Sequence, residues 1–155
     1  MEEQMAKTLT PEEQKYLNYR EQFRRLDKAM KNQFYLEAVF IAYAIMEDRA
    51  DSILRYENNG IKSKDFVSID RKLRKIETIA RQKKSLPNRY IPQELIENIK
   101  KWKEERNKII HALLRQSLTT QQLAELAEDG KRLARQLSNC ATNYKRAVIR
   151  KNQNI

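Results

Sequence analysis

Four polar residues that could bind a phosphate or transfer a proton lie within one predicted helix: Glu104, Arg106, Asn107 and His111. Asn107 and His111 are four residues apart and share a helix face, with Glu104 one turn earlier. Histidine is the side chain that ordinarily titrates near neutral pH, so it can act as a general acid or base. The guanidinium of an arginine suits the recognition of an anion. This pattern predicts proton transfer beside a bound anion.

Arg106 falls near the centre of the apolar face of its helix. That face is formed by Leu95, Ile99, Trp102, Ile109, Ile110 and Leu113. A guanidinium among apolar side chains is costly unless it is paired or opens onto a cleft. We therefore expect Arg106 either to form a buried ion pair or to be held for phosphate recognition, and the two roles are compatible.

An acidic partner for Arg106 is available on the second predicted helix. Glu47 interrupts an apolar stripe made of Leu36, Phe40, Tyr43 and Leu54. Two opposite charges, each in the middle of an apolar face, predict a contact between Glu47 and Arg106 across the bundle. Asp48, on the polar side of the same helix, and Glu104 are the other candidates for supporting acidic roles.

The elements that carry these residues are predicted to be five helices and no strands, at about 11–31, 34–56, 69–83, 92–116 and 120–148. Thr10-Pro11-Glu12-Glu13 is a capping box, Ser68 caps the third helix, and Thr119 caps the fifth. Lys84–Pro92 is predicted to be a loop, because it contains two of the three prolines. The second helix should stop at Asn58-Asn59-Gly60.

One helical domain over residues 1–155 is the simplest organisation for a chain of this length. We expect a single up-and-down bundle with its core at about 10–148 and flexible termini at 1–9 and 149–155. Gly130 lies on the apolar face of the fifth helix, which predicts close contact with another helix.

The positive charge is concentrated in two blocks. Residues 62–89 hold ten Lys/Arg and three Asp/Glu, and residues 131–155 hold seven Lys/Arg and no acid, although the whole chain carries only +11. Such blocks can bind a phosphate backbone by releasing counterions, or they can simply be solvated helix faces. The candidate RNA-binding residues are Arg71, Lys72, Arg74, Lys75, Arg81, Lys83, Lys84, Lys145 and Arg146.

The scarce residue types exclude several classes of site. One cysteine excludes an internal disulfide scaffold, one histidine excludes a two-histidine metal motif, and two glycines exclude a glycine-rich phosphate loop. We expect no metal and no cofactor. The polar N-terminus and the free thiol predict a cytoplasmic protein, and the absence of a long apolar run predicts no membrane partner.

The segment Arg106-Asn107-Lys108-Ile109-Ile110-His111 resembles the R-x(4–6)-H motif of HEPN domains, in which a polar residue follows the arginine. The stretch from Phe34 to Arg49 is also similar in character to the second helix of that family. HEPN domains are small all-helical bundles of toxin–antitoxin, abortive-infection and other defence systems. The resemblance covers about residues 10 to 145.

This resemblance implies a metal-independent endoribonuclease that works as a homodimer, with one composite cleft. It implies that Arg106 binds the scissile phosphate and that His111 transfers protons. It also implies that Asn107 orients either the histidine or the phosphate. It also implies a toxin or antiviral defence role, with a cognate antitoxin as a possible partner. Some family members are inactive, so a non-catalytic module that binds nucleic acid or a partner protein is the alternative.

Overall fold

The computed structural model describes residues 8–58 and 67–154, and over these residues the protein is all-α. Six helices and no strand occur there: α1 Pro11–Lys31, α2 Tyr35–Glu57, α3 Ile69–Ala80, α4 Leu86–Tyr90, α5 Gln93–Ala112 and α6 Thr120–Gln153. The fourth and fifth predicted helices correspond to α5 and α6. Residues 1–7 of the predicted flexible terminus, and Gly60 of the predicted helix stop, lie outside the described residues.

The predicted helix starts are confirmed. Thr10 accepts a hydrogen bond from the backbone of Glu13, whose side chain bonds back to Thr10, so the capping box is complete. The side chain of Thr119 forms the equivalent box with Gln122. Ser68 caps α3 by accepting from the backbone of Arg71. These side chains satisfy backbone donors that the first helical turn leaves unpaired.

The predicted loop at Lys84–Pro92 is wrong, because it contains the short helix α4. Ser85 caps this helix by accepting from the backbone of Asn88, and Pro87 lies in its first turn, where a missing N–H has no effect on hydrogen bonding. Helix α6 continues to Gln153, beyond the fraying expected after residue 148, whereas α5 ends at Ala112, before Gln116.

Helix α6 is the longest helix, and α2 packs along it more extensively than any other pair of helices. Helix α1 lies against α2, while α5 contacts both α3 and α6. Gly130 of α6 meets the ring of Trp102 from α5: a Cβ at this glycine would lie 2.6 Å from Cζ2 of Trp102. The indole Nε1 donates to the carbonyl of Leu126 at 2.8 Å. The predicted close helix contact at Gly130 is confirmed.

Helix α2 buries a different face from the one expected. Leu36 and Phe40 of the predicted stripe are 44 % and 70 % exposed, whereas Tyr43 and Leu54 are partly buried and pack against the edge of the core. The buried face carries Ala38, Val39, Ala42, Ile45, Met46, Ala50 and Ile53. Because α2 carries apolar side chains around most of its circumference, its sequence does not determine which face is covered.

None of the helices in the described ranges combines the length and the apolar character that a membrane span requires.

Candidate phosphate-binding site around Arg106

Arg106 lies on α5 with its guanidinium over the ring of Tyr43 from α2, and Cζ is 4.0 Å from the ring centroid. Nη1 donates to Oδ1 of the neighbouring Asn107 at 3.0 Å. Nε is buried and has no hydrogen-bond partner within the described part of the chain. The aromatic face therefore holds the cation, while part of its hydrogen-bonding capacity stays unused.

The predicted ion pair between Arg106 and Glu47 is wrong. The carboxylate of Glu47 instead lies 3.8 Å from Nζ of Lys72 on α3, and the same ammonium lies 3.7 Å from Asp51. Lys72 can neutralise these acidic residues because α3 packs against α2 as well as against α5. Arg106 therefore keeps its positive charge without a direct carboxylate partner among the described residues.

Tyr43 supplies a neutral ring beneath the guanidinium. Burial raises the pKa of Tyr43, and the nearby Glu47 carboxylate acts in the same direction, while Arg106 opposes both. The phenol therefore stays protonated at neutral pH. A neutral ring attracts the cation through its quadrupole and, unlike a carboxylate, adds no negative charge that would repel a phosphate.

Two lysines of α5 fix the helix against α3. Lys103 is buried and forms an ion pair with Asp70, and Lys100 forms an ion pair with Glu77. Sequence reasoning missed both contacts, although the spacing of three residues puts the two lysines on one side of the helix. These pairs set the rotation of α5, which decides where Arg106 points.

The side chains of His111 and Glu104 are exposed and form no hydrogen bond or ion pair with other described residues. Asn107 is exposed as well, and its carbonyl oxygen accepts from Arg106. Arg106 and His111 are five residues apart, so they differ by about 140° around the helix and about 7.5 Å along it. One chain alone therefore does not bring the guanidinium and the imidazole together.

Exposed apolar side chains occur on both helices near the Tyr43–Arg106 contact, and we call them the apolar strip: Leu36 and Phe40 of α2, Ile110 of α5, and Leu113 and Leu114 just after α5. Helix α3 contacts Glu47 of α2 and Lys103 of α5. Glu47 follows Tyr43 in α2, whereas Lys103 precedes Arg106 in α5, and Tyr43 contacts Arg106. The two helices therefore run in opposite directions here. One turn beyond that contact, Phe40 and Ile110 lie at the same level. Leu114 is 100 % exposed, although it is fully apolar.

The predicted RNA-binding residues fall into two groups. The exposed group is Arg71, Arg74, Lys75, Arg81, Lys83, Lys84 and Arg146. Lys72 and Lys145 are half-buried and contact carboxylates: Lys72 those of α2, and Lys145 that of Glu12 at 3.9 Å. Arg81 pairs with Glu77 on its own helix.

Asp48 does not join the Arg106 site. Its carboxylate lies 3.7 Å from Nζ of Lys15 on α1 and 3.4 Å from Nη2 of Arg49. Among the described residues, no group of three or more His, Cys, Asp or Glu side chains is arranged to hold a metal ion.

Comparisons with models of known protein families, with curated proteins and with solved structures found no match to this chain.

Proposed function

We propose that this chain is a metal-independent endoribonuclease that resembles HEPN domains and works as a homodimer. The observation that carries the proposal is the state of Arg106. Its guanidinium is held on the Tyr43 ring, keeps an unpartnered buried Nε, and shares a helix with the exposed His111. An aromatic support without a neutralising carboxylate is what an anion-binding arginine needs.

In this proposal Arg106 binds the scissile phosphate and stabilises the negative charge that develops on its oxygens. Asn107 is a positioning residue, since its side-chain oxygen accepts a hydrogen bond from Nη1 of Arg106. The 2′-hydroxyl attacks phosphorus and loses its proton to a base, while the 5′-oxygen leaves and takes a proton from an acid. The products are a 2′,3′-cyclic phosphate and a 5′-hydroxyl.

Two proton transfers require two groups, and each chain has one histidine. A symmetric dimer would supply two copies of His111, and it would also place the arginine of one chain near the histidine of the other. The exposed apolar strip supports this arrangement, because contiguous exposed apolar surface next to charged residues marks interaction sites. The strip borders both Arg106 and His111, so its burial would enclose them in the dimer cleft.

The exposed cations of α3 and of the loop after it supply a surface for the RNA backbone. Such contacts contribute affinity and position the substrate, but they carry no sequence information. These cations are different residues from Arg106 and His111, so separate substitutions can test RNA binding and RNA cleavage.

The decisive experiment compares RNA cleavage by four purified proteins in EDTA: the wild type, Arg106→Ala, His111→Ala and Lys108→Ala. Lys108 is an exposed cation on the same helix and serves as the matched control. We expect the wild type and Lys108→Ala to cleave, leaving 2′,3′-cyclic phosphate ends, and the other two to be at least about 100-fold slower. Equal cleavage by all four proteins would overturn the proposal and indicate a contaminating nuclease.

A second candidate function is a non-catalytic module that binds RNA. The observation that favours it is the set of exposed cations on α3, which needs no catalytic group. It predicts salt-sensitive RNA binding with no cleavage by the wild type.

The toxin or defence role is a separate part of the proposal, and a cognate antitoxin would be its protein partner. Expression of the wild type alone should slow cell growth, and Arg106→Ala or His111→Ala should relieve that effect. Normal growth with abundant active enzyme would contradict the toxin role and leave the ribonuclease activity standing.

A further inference from the structure

A second site lies between α1 and α2, on the other side of α2 from α5. It is a cavity of about 230 Å³, and its apolar lining residues on α2 are Ile41, Ala44 and Ile45. Its polar rim includes Lys15, Asn18 and Gln22 of α1 and Asp48 of α2. Pockets for drug-sized ligands measure roughly 300–1,000 Å³, so this cavity suits a single ring system.

The rim presents a donor and an acceptor side by side. Nζ of Lys15 lies 3.7 Å from Oδ2 of Asp48, and both groups line the cavity. Burial lowers the pKa of Lys15, and the nearby Arg55, Arg49 and Lys145 act in the same direction, against Asp48. The surroundings of Lys15 are therefore rich in positive charge, which favours a ligand attached to a phosphate backbone.

Tyr19 lines the cavity, and two buried polar atoms at its ring lack partners. Its ring is contacted by the guanidinium of Arg49, with Cζ at 3.9 Å from the centroid, and by the ammonium of Lys15 at 5.9 Å. The Tyr19 hydroxyl and Nε of Arg49 are buried, and neither has a hydrogen-bond partner in the described ranges. Buried polar atoms without a protein partner are rare in native proteins, so water or another group from outside the chain is expected beside them.

The cavity and the Arg106 site lie on different faces of the same helix, α2. Ala44 follows Tyr43 directly in the chain, and Tyr43 supports Arg106. The side chains of Phe40, Ala44 and Glu47 form the ridge between the two sites, since residues three or four apart are neighbours on a helix. A chain of nucleotides whose phosphate lies at Arg106 could place a neighbouring base in the cavity.

We propose that this cavity binds one unstacked base of the RNA substrate and that it prefers guanine. The N1–H and the exocyclic amino group of guanine would donate to the carboxylate of Asp48, and the adjacent O6 would accept from the ammonium of Lys15. The other three bases lack this combination of two adjacent donors beside a carbonyl. The inference rests on one part of the proposed function, namely that the protein binds RNA.

The test measures binding of uncleavable RNA, so it does not depend on catalysis. The probes are short 2′-O-methyl oligouridylates of equal length, carrying a single central guanosine, adenosine, cytidine or uridine, and binding is followed by fluorescence anisotropy. The wild type should bind the guanosine probe about tenfold more tightly than the uridine probe, because a bidentate contact to a base edge discriminates against the wrong base by about this factor or more.

Two variants test whether the preference for guanosine arises in the cavity. Asp48→Asn removes the negative charge and replaces one of the two acceptor oxygens with an NH₂ donor, which would face the donors of guanine. Ala44→Leu introduces a larger apolar side chain at an exposed position of the cavity lining and changes no polar group. Both should bind all four probes with affinities within about twofold of one another. Asp129→Asn is the matched control: it removes one exposed carboxylate, paired only with Arg132 on its own helix, and should keep the guanosine preference.

Equal binding of the four probes by the wild type would overturn the base site, and so would an undiminished guanosine preference in Ala44→Leu. These outcomes are distinguishable from failure of the ribonuclease proposal. Cleavage without a base preference would contradict the base site alone. Guanosine-selective binding without cleavage of natural RNA would contradict the ribonuclease alone.

Discussion

The guanidinium of Arg106 lies over the ring of Tyr43, with Cζ 4.0 Å from the ring centroid, and no carboxylate of the described residues forms an ion pair with it. A carboxylate would hold the arginine equally well, but it would neutralise the charge that a phosphate needs. An aromatic ring positions the cation and leaves its charge intact. This relationship makes Arg106 a candidate phosphate ligand rather than a structural ion pair.

The aromatic support of Arg106 predicts a specific difference between two substitutions of Tyr43. Tyr43→Phe keeps the ring and should change kcat/KM for RNA cleavage by less than about threefold. Tyr43→Leu removes the cation–π contact and should lower kcat/KM about tenfold, because such contacts contribute about 0.5–2 kcal/mol. Thermal unfolding of both variants provides the control for folding. Equal activity of the two variants would show that the ring does not position the arginine.

The apolar strip predicts a charge-sensitive dimer. Phe40→Lys places an ammonium at the centre of the strip and should convert the dimer to a monomer, with loss of cleavage, because a buried unpaired charge is costly. The measurement is sedimentation velocity together with the RNA cleavage assay. Tyr16→Lys is the matched control, since Tyr16 is an aromatic residue of α1 with a similar exposure of 66 %. A dimeric and active Phe40→Lys protein would contradict this interface.

The two groups of basic residues should respond differently to substitution. Arg74→Ala and Lys75→Ala remove exposed cations, so each should weaken RNA binding and reduce the slope of log K against log salt by about one. Lys72→Ala should mainly lower the free energy of unfolding, because Lys72 contacts Glu47 and Asp51. Fluorescence anisotropy at several salt concentrations and urea unfolding separate the two effects. If the slope of log K against log salt concentration were the same for Arg74→Ala as for the wild type, Arg74 would not contact RNA.

The contact between Gly130 and Trp102 predicts a strong size limit at this position. Gly130→Val should lower the free energy of unfolding by about 1–3 kcal/mol, because even a Cβ would lie 2.6 Å from Cζ2 of Trp102. Urea unfolding measures the change, and tryptophan fluorescence reports on the displaced ring. Glu128→Val, at an exposed position of the same helix, controls for the lower helix propensity of valine. Equal stability of the two variants would contradict the close packing.

The link between α1 and α6 through Asp27 predicts a pH-dependent contribution to stability. Nζ of Lys131 lies 2.8 Å and Nη2 of Arg135 lies 3.1 Å from the carboxylate of Asp27. Burial alone would raise the pKa of Asp27, but hydrogen bonds from both cations outweigh it and lower the pKa. The stabilisation is therefore present above the pKa of the unfolded chain and is lost as the pH falls through the folded-state pKa.

Asp27→Asn tests this linkage by urea unfolding at neutral pH and at about pH 3. The variant should be about 0.5–1 kcal/mol less stable than the wild type at neutral pH, since partly exposed ion pairs contribute little, and the difference should shrink in acid. Asp129→Asn should follow the wild type at both pH values. A difference between Asp27→Asn and the wild type that grows on acidification would contradict the sign of the linkage.

The sequence predicted the helix starts well, because a cap is a local interaction. Thr10, Ser68 and Thr119 each bond to the backbone three residues ahead, so the pattern that predicts the cap contains the contact. The helix at Leu86–Tyr90 was missed although Ser85 is a cap of the same kind. The segment contains Pro87 and is followed by Pro92, a composition that predicts a loop, whereas a proline in the first turn is compatible with a helix.

The partner of Arg106 could not be predicted in the same way. Periodicity shows that Glu47, Tyr43 and Arg106 belong to particular faces of their helices, but it does not specify which residues of two helices lie at the same level. Lys72 approaches Glu47 from α3 and takes the place that was expected for the arginine. Tyr43 lies one turn before Glu47 on α2. Arg106 contacts α2 at the level of Tyr43, so it forms a cation–π interaction instead of an ion pair.

The sequence by itself determined that the described chain is helical, where most of its helices begin, and that Arg106, Asn107 and His111 share one of them. These properties depend on interactions between residues a few positions apart. Only the tertiary structure decided which face of α2 is buried, which residue supports Arg106, and that the guanidinium and the imidazole of one chain do not converge. Those properties depend on how α2, α3 and α5 are rotated against one another, and the rotation is fixed by contacts between residues distant in sequence, such as Lys103 with Asp70 and Trp102 with Gly130.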